Sequence, residues 1–310
     1  SARNIRPDEN YARELMQLFT IGLVALNDDG SVKLDAQGDP IPTYNQDVIK
    51  GFASVFTGWM YANAPYWYWG GWIEANTIEP MKPFEAYHDT DAKILLNDEL
   101  LPAGLTAEQD PEAALDNIFS HPNIAPFVSK QLIQRLVTSN PSPDCVSRVT
   151  AVFNDNGQGE KGDLEAVVKA ILLDPQARRV DSLTDEQYGK LKEPVLKFTS
   201  LMRAFDVLAE QPLNESGTAE TETIRFFWPG YDYGQRTYGS PSVFNFYLPD
   251  YAPSNAFDND DVVAPEFQIL TEQNITAASN WGGSLSTLVC VLICVLTSEA
   301  ATSCGRACRI

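Results

Sequence analysis

Between Asp110 and Pro175 the chain is punctuated so regularly that a helical reading is the one that fits. Asp110-Pro111-Glu112 opens a segment running to about Ser120, and His121-Pro122 breaks it. Asn123 opens the next, with Phe127, Val128, Leu132, Ile133 and Leu136 at core spacing. Ser142-Pro143-Asp144 starts a third through Val146, Val149 and Val152, because a proline fits the first turn, where its missing N–H has no partner. Gly162-Asp163-Leu164 starts a fourth carrying Val167, Val168, Ile171 and Leu172, and Pro175 stops it. A longer helical stretch follows from Thr184 to Glu210, bent at Pro194, and a last helix is predicted near Pro265 to Trp281. No internal repeat is present. The fold class is mainly α: an irregular multi-helix domain with long aromatic-rich loops and a small β-hairpin near the N-terminus.

The N-terminal part fits the same class. Pro7 to Gly22 reads as an amphipathic helix, with Asp8 and Glu9 at the positive end of its dipole and Gly22 closing the other end. Tyr11, Leu15, Leu18 and Phe19 are expected to face a core; Glu9 and Arg13 stand four apart and can pair, as can Asn10 and Glu14. That polar flank is either a solvated face or a cluster aimed into a cleft with Glu14 as its most useful group. Leu23 to Leu34 reads as a hairpin around Asp28-Asp29-Gly30. Thr43 with Gln46 forms a capping box opening a second helix, whose Val48, Ile49, Phe52, Val55 and Phe56 make a core stripe. Residues 60 to 92 are irregular and carry Tyr61, Tyr66, Trp67, Tyr68, Trp69, Trp72, Phe84 and Tyr87. They form either a loop packed by its own aromatics or a binding wall for a sugar ring or another flat apolar ligand. Residues 224 to 263 are again irregular and rich in aromatics, Pro and Gly.

The 310 residues carry 42 acidic against 22 basic side chains, a net charge of −20. Nucleic-acid and anionic-membrane partners need clustered Lys and Arg, so both are excluded. Cys145 stands alone, while Cys290, Cys294, Cys304 and Cys308 crowd the end of the chain. Their spacing suits a zinc site, but the composition changes abruptly after Trp281, and Cys304-Gly305-Arg306-Ala307-Cys308 back-translates into adjacent cloning sites. Residues 282–310 are therefore expected to be a vector-derived tail behind one helical domain over residues 1–281. The apolar run from Leu285 to Leu296 is too short to span a bilayer.

Only two histidines are present, which narrows the chemistry. His88-Asp89 with Asp91 ends the aromatic stretch, and imidazole beside carboxylates binds a divalent metal, forms an acid–base pair, or simply fixes the loop. His121 before Pro122 is expected to cap the preceding helix as an imidazolium. Asn154-Asp155-Asn156-Gly157-Gln158-Gly159-Glu160 has the composition of a calcium loop without its spacing and reads as a capped turn. Asp258 to Asp261 reads as a solvated acidic loop. No G-x-S-x-G elbow, Walker loop or dinucleotide fingerprint occurs, and Gly239-Ser240-Pro241-Ser242 has no positioned base near it in sequence.

Asp8-Glu9-Asn10-Tyr11-Ala12-Arg13-Glu14-Leu15-Met16-Gln17-Leu18-Phe19-Thr20-Ile21-Gly22 resembles the signature of a bacterial family catalogued as domain of unknown function 1800. Phe56-Thr57-Gly58-Trp59, His88-Asp89, His121-Pro122, the run from Phe153 to Leu164 and Lys192-Glu193-Pro194-Val195 follow in order. So do Ser240 to Tyr247 and Ala264 to Ile269, taking the resemblance over residues 5 to 281. It implies a predominantly helical, exported protein, secreted or periplasmic, with no established family-wide reaction, and it likens the chain to the C-terminal part of a longer protein. Ser1-Ala2-Arg3-Asn4 carries no leader, which for such a part says nothing about export.

Two functional expectations follow. The first is a hydrolase of ester, phosphoester or glycosidic bonds, with Glu14, His88 and Asp89 as catalytic residues or as ligands of a divalent metal (zinc or calcium), the long loop folding back to bring them together. Trp59, Trp67, Trp69, Trp72 and Arg13 would hold a small-molecule or saccharide substrate. The second is a noncatalytic extracellular binding or assembly module with the aromatic loops as its recognition surface. No membrane span is expected, and no oligomeric state follows.

Overall fold

The helix expected at Pro7–Gly22 forms over Asn10–Glu14 (α1) and continues as a π-helical segment over Leu15–Thr20. The amides of Ile21 and Gly22 both donate to the Met16 carbonyl, at 3.0 and 2.9 Å. A wider turn rotates every later side chain relative to a 3.6-residue period. The buried residues are Ala12, Met16 and, five residues on, Ile21, whereas Tyr11 and Phe19, expected in the core, are 57% and 60% exposed. Tyr11 instead sets its ring edge-on to Phe56, with centroids 4.9 Å apart. Gly22 ends the helix at φ 72°, and a Cβ there would lie 2.8 Å from the Phe127 ring. The Glu9–Arg13 pair forms at 2.8 Å.

This computed structural model describes residues 6–64, 76, 78–178, 187–204, 234–236, 238–254 and 262–276. The chain divides into two compact units, residues 1–189 and 190–310, a boundary absent from the reading of one helical domain over residues 1–281.

In the first unit, antiparallel bridges join Leu26 to Val32, Leu34 to Pro40 and Val24 to Pro42. The turn at Asp28-Asp29-Gly30 is thus followed by a third extended segment. Thr43 does not cap the next helix. Its hydroxyl donates to the Gly22 carbonyl, and Asn45 takes the cap by accepting from the amides of Asp47 and Val48. The helix runs over Gln46–Val55 (α2) and buries Val48, Ile49, Phe52 and Val55. Two short hairpin pairs follow. Trp59–Met60 (β1) lies antiparallel to Lys82–Pro83 (β2), and Lys93–Ile94 (β3) to Leu100–Leu101 (β4).

Four helices complete the unit: Gln109–Ser120 (α3), Ile124–Leu136 (α4), Pro143–Asn154 (α5) and Leu164–Leu173 (α6). Local chemistry sets the starts of α5 and α6. The Ser142 hydroxyl accepts from the Cys145 amide and the Asp163 carboxylate from the Ala166 amide. α4 packs on α5 and α5 on α6, while α2 lies against β3. Met16, Ile21, Phe52, Leu95, Leu96, Ile118, Ile133, Val149 and Ile171 lie together in one buried core.

In the second unit Pro194–Ala204 forms a helix (α7) that begins at Pro194 rather than bending there. Proline disfavours helical geometry in the residue before it, Glu193, and residues 188–193 are non-helical. Pro265–Ile269 is a 3-10 turn, with helix resuming at 272–276. No helix among the described residues is long and apolar enough to cross a membrane.

Candidate functional site

His88 lies where the segment after β2 returns to the end of α2. The amide of Phe84 donates to the Gly58 carbonyl and that of Asp89 to the Thr57 hydroxyl. The imidazole Nδ1 then sits 3.1 Å from the Thr57 carbonyl oxygen and 3.2 Å from its Oγ1. On the other side, Nε2 lies 3.0 Å from Asp110 Oδ2 on α3. The same carboxylate oxygen receives Lys93 Nζ at 2.6 Å, and that ammonium also donates to the carbonyls of Asp89 and Asp91. The side chains of His88 and Asp110 are wholly buried, and that of Lys93 is 2% exposed.

Hydroxyl, imidazole and carboxylate thus stand in the order of a hydrolytic triad. Two observations speak against that role. The single hydroxyl proton of Thr57 goes to the Ser54 carbonyl at 2.7 Å, so no proton faces the ring from that side. The carboxylate also carries an ammonium from the chain itself, in a place water does not reach. This arrangement ties α2, β3 and α3 together as a clasp.

The predicted site residues fall differently. Asp89 accepts from the Asp91 amide at 3.0 Å. Burial pushes its carboxyl upward, but that amide, the Ser54 hydroxyl and the Lys93 charge outweigh burial and hold it below the usual range. Glu14 is half-buried on α1, its carboxylate without a hydrogen-bond partner among the described residues. Among those residues no three His, Cys, Asp or Glu side chains gather in a way that could hold a metal ion. Glu14, His88 and Asp89 are all described and make no such group, so the expected zinc or calcium site is not assembled from them. The physical reason is that the ring of His88 turns inward to Asp110. Arg13 is engaged by Glu9 and Gln46, each at 2.8 Å, and the Trp59 indole donates to the Ala107 carbonyl at 3.1 Å. Trp67, Trp69 and Trp72 lie outside the described residues.

Neither Asp110 nor Lys93 was among the predicted site residues. Asp110 carries the ordinary signal of an acidic first turn, and nothing near Lys93 in sequence announces its burial. One retrospective sign exists: Lys93 follows Asp89 and Asp91 at spacings of four and two, which lets its chain curl back onto their carbonyls.

Other titratable groups are settled by their surroundings. Burial, with Asp174 beside it, pushes the Cys145 thiol up to about 12, which makes it inert as a nucleophile. Asp155 accepts from the amides of Gly157 and Gly159, the capped turn expected there. In the second unit the Glu193 carboxylate accepts from the Tyr247 hydroxyl and the Gln235 amide, and Lys190 pairs with buried Glu266 at 2.9 Å.

His121 departs from the expected imidazolium. It is 6% exposed, and its Nδ1 accepts from the Asn123 amide at 3.1 Å. Burial first, then the charges of Lys161 and Lys33, hold its pKa below the ordinary value. The unfolded chain therefore takes up the proton first as pH falls. His121 contributes stability above about pH 6.5, and that contribution is lost as pH drops through its folded pKa. Urea midpoints measured between pH 7.5 and 5 are expected to decline less steeply in His121→Gln than in the parent; equal slopes would refute the assignment.

A model of the family described as "Protein of unknown function (DUF1800)" matches residues 1–303. The match runs beyond Trp281, where the resemblance traced above ends, into the segment read as a tail. Searches of curated proteins and of solved structures found no match.

Proposed function

The chain belongs to the DUF1800 family, and from that premise we propose that it is a noncatalytic, exported binding or assembly module whose first unit is a rigid holder for a recognition loop. The observation that supports this reading is the fate of His88. The imidazole that a hydrolytic mechanism would need is committed on both edges, to Thr57 and Asp110, inside a buried clasp. A general base must reach the proton it abstracts, and this one has no open edge.

The clasp secures the base of a long excursion. The register Met60↔Lys82 sets the two ends of residues 61 to 81 side by side, and the Thr57–His88 and Gly58–Phe84 contacts brace them from behind. The segment therefore leaves and rejoins the scaffold at a fixed place. Its sequence is rich in Trp and Tyr, which suits a saccharide or another flat ligand as the partner.

Hydrolysis of an ester, phosphoester or glycosidic bond, with or without a divalent metal, is the competing reading. The two are separated by affinity electrophoresis on soluble polysaccharides run beside a panel of chromogenic esters, phosphoesters and glycosides. The expected result is retardation without turnover. Replacing residues 61–81 by a two-residue Asn-Gly turn, which the β1–β2 register accommodates, should abolish retardation and keep the helical circular dichroism. Chelator-sensitive turnover that disappears in a folded His88→Ala variant would overturn the proposal.

A further inference from the structure

The charges of Lys33 and Lys161 both act on the nearly buried second histidine, His121. Asn123 builds the arrangement. Its side chain accepts from the Leu26 amide and donates to the carbonyls of Ile21 and Val24, binding the extended segment 24–26 to the His121–Asn123 corner. The amide of Lys33 donates to the Ala25 carbonyl, which sets Lys33 on the strand beside that segment. From the other side, Gly162 packs so closely on Phe119 that a Cβ would lie 2.6 Å from its ring. Lys161 Nζ thereby rests 5.3 Å over the ring centroid of Phe119, two residues before His121.

The imidazole is preset as a donor. Because Nδ1 accepts from the Asn123 amide, the ring proton belongs to Nε2. That Nε2 has no partner among the described residues and keeps access to solvent. Neither Lys33 nor Lys161 forms an ion pair among them. The carboxylates next to Lys161 in sequence are engaged elsewhere: Glu160 and Asp163 both accept from the Asn156 amide, and Asp163 also caps α6.

We infer that the corner of His121, Lys33 and Lys161 is a binding site for a tetrahedral oxyanion, a phosphate or sulfate group, held by the Nε2–H and the two ammonium groups. Charge alone would not select a site on a protein of net charge −20. What selects it is a fixed, nearly buried N–H donor on which the charges of two lysines act. Burial holds the Lys161 ammonium below its usual pKa, and an arriving anion would offset that cost. The inference does not depend on the recognition loop.

Two histidines give two imidazole signals, so the test can be read directly in the whole chain. Inorganic phosphate is titrated against a chloride control of equal ionic strength while ¹⁵N-imidazole spectra are recorded. The His121 Nε2 signal is expected to shift saturably at millimolar phosphate, with His88 unmoved. The double variant Lys33→Met/Lys161→Met, both positions lying off the helices, is expected to weaken binding by about tenfold or more. A second arm uses a sugar phosphate monoester. Tighter binding than free phosphate identifies a substituted phosphate as the ligand, and weaker binding identifies the free ion; both support the site. A shift reproduced by chloride, one that never saturates, or one unchanged in the double-lysine variant would overturn it.

Discussion

Asp110→Asn is expected to destabilise the protein by about 3–5 kcal/mol, the cost of leaving buried charge without its counter-ion. Asp110 Oδ2 is the acceptor for both His88 Nε2 and Lys93 Nζ, at 3.0 and 2.6 Å, and all three side chains are buried. An asparagine keeps the shape and one oxygen but removes the negative charge, so the Lys93 ammonium keeps only carbonyl partners. The other oxygen, Oδ1, already lacks a partner among the described residues, and the substitution has no spare hydrogen bond to draw on. His88→Ala is expected to unfold the region too, because it strands Asp110 on one side and frees the Thr57 corner on the other. The cost of Asp110→Asn should be partly recovered by Lys93→Met with Asp110→Leu, since apolar pairs of similar volume commonly replace buried ion pairs at little cost, while the His88 imidazole still loses its acceptor. Urea denaturation of the parent, the single variants and the double variant measures all of these. If Asp110→Asn and His88→Ala melt like the parent while some activity vanishes, the group is a reaction centre and the clasp is misread.

The boundary between what was legible in the sequence and what was not follows the range of the interactions. Ser142 and Asp163 sit within three residues of the amides they cap, so the starts of α5 and α6 could be read directly. The stripe of α2 was legible for a similar reason: Val48, Ile49, Phe52 and Val55 obey a period that the backbone keeps. α1 broke that condition. Its π-helical segment widens the period from Met16 to Ile21, so Phe19 turned outward, and no residue type announces such a turn. Thr43 misled because the helix starts two residues later: Asn45 accepts from the Asp47 and Val48 amides, while the Thr43 hydroxyl donates to the Gly22 carbonyl, distant in sequence. The clasp lies at the far end of this scale. His88 was noticed because histidines are rare here, but its partner is 22 residues away on a helix, and Asp89 was the nearer carboxylate to choose. Side-chain chemistry identified the residue, and only the packing of α3 against α2 identified what it does.

Gly51→Ala should be about as damaging, by a different route. Gly51 lies inside α2, where an alanine ordinarily gains roughly 0.5–1 kcal/mol over glycine. Here a Cβ would stand 2.0 Å from the Ile94 carbonyl oxygen, with the Ile94 carbon and nitrogen at 3.0 and 3.2 Å. These are backbone atoms of β3, so no rotamer change relieves the overlap, and either α2 or β3 must move. Ile94 is held between Lys93 in the clasp and fully buried Leu95, so moving β3 withdraws the ammonium from Asp110 and opens the core together. Overpacking commonly costs about 1–3 kcal/mol, and disturbance of the clasp adds to it, which sets the expectation at about 3 kcal/mol or more. Gly38→Ala is the control. It sits at φ 89° with nothing within 4 Å of the added methyl, so it carries backbone strain without a clash and should cost about 1 kcal/mol. A further comparison tests the route as well as the size. If Gly51→Ala acts by prising Lys93 from Asp110, combining it with Asp110→Asn should destabilise by clearly less than the sum of the two, because the second change finds the contact already lost. Full additivity, or a Gly51→Ala melting point no lower than that of Gly38→Ala, would mean that α2 and β3 do not meet at this position as described.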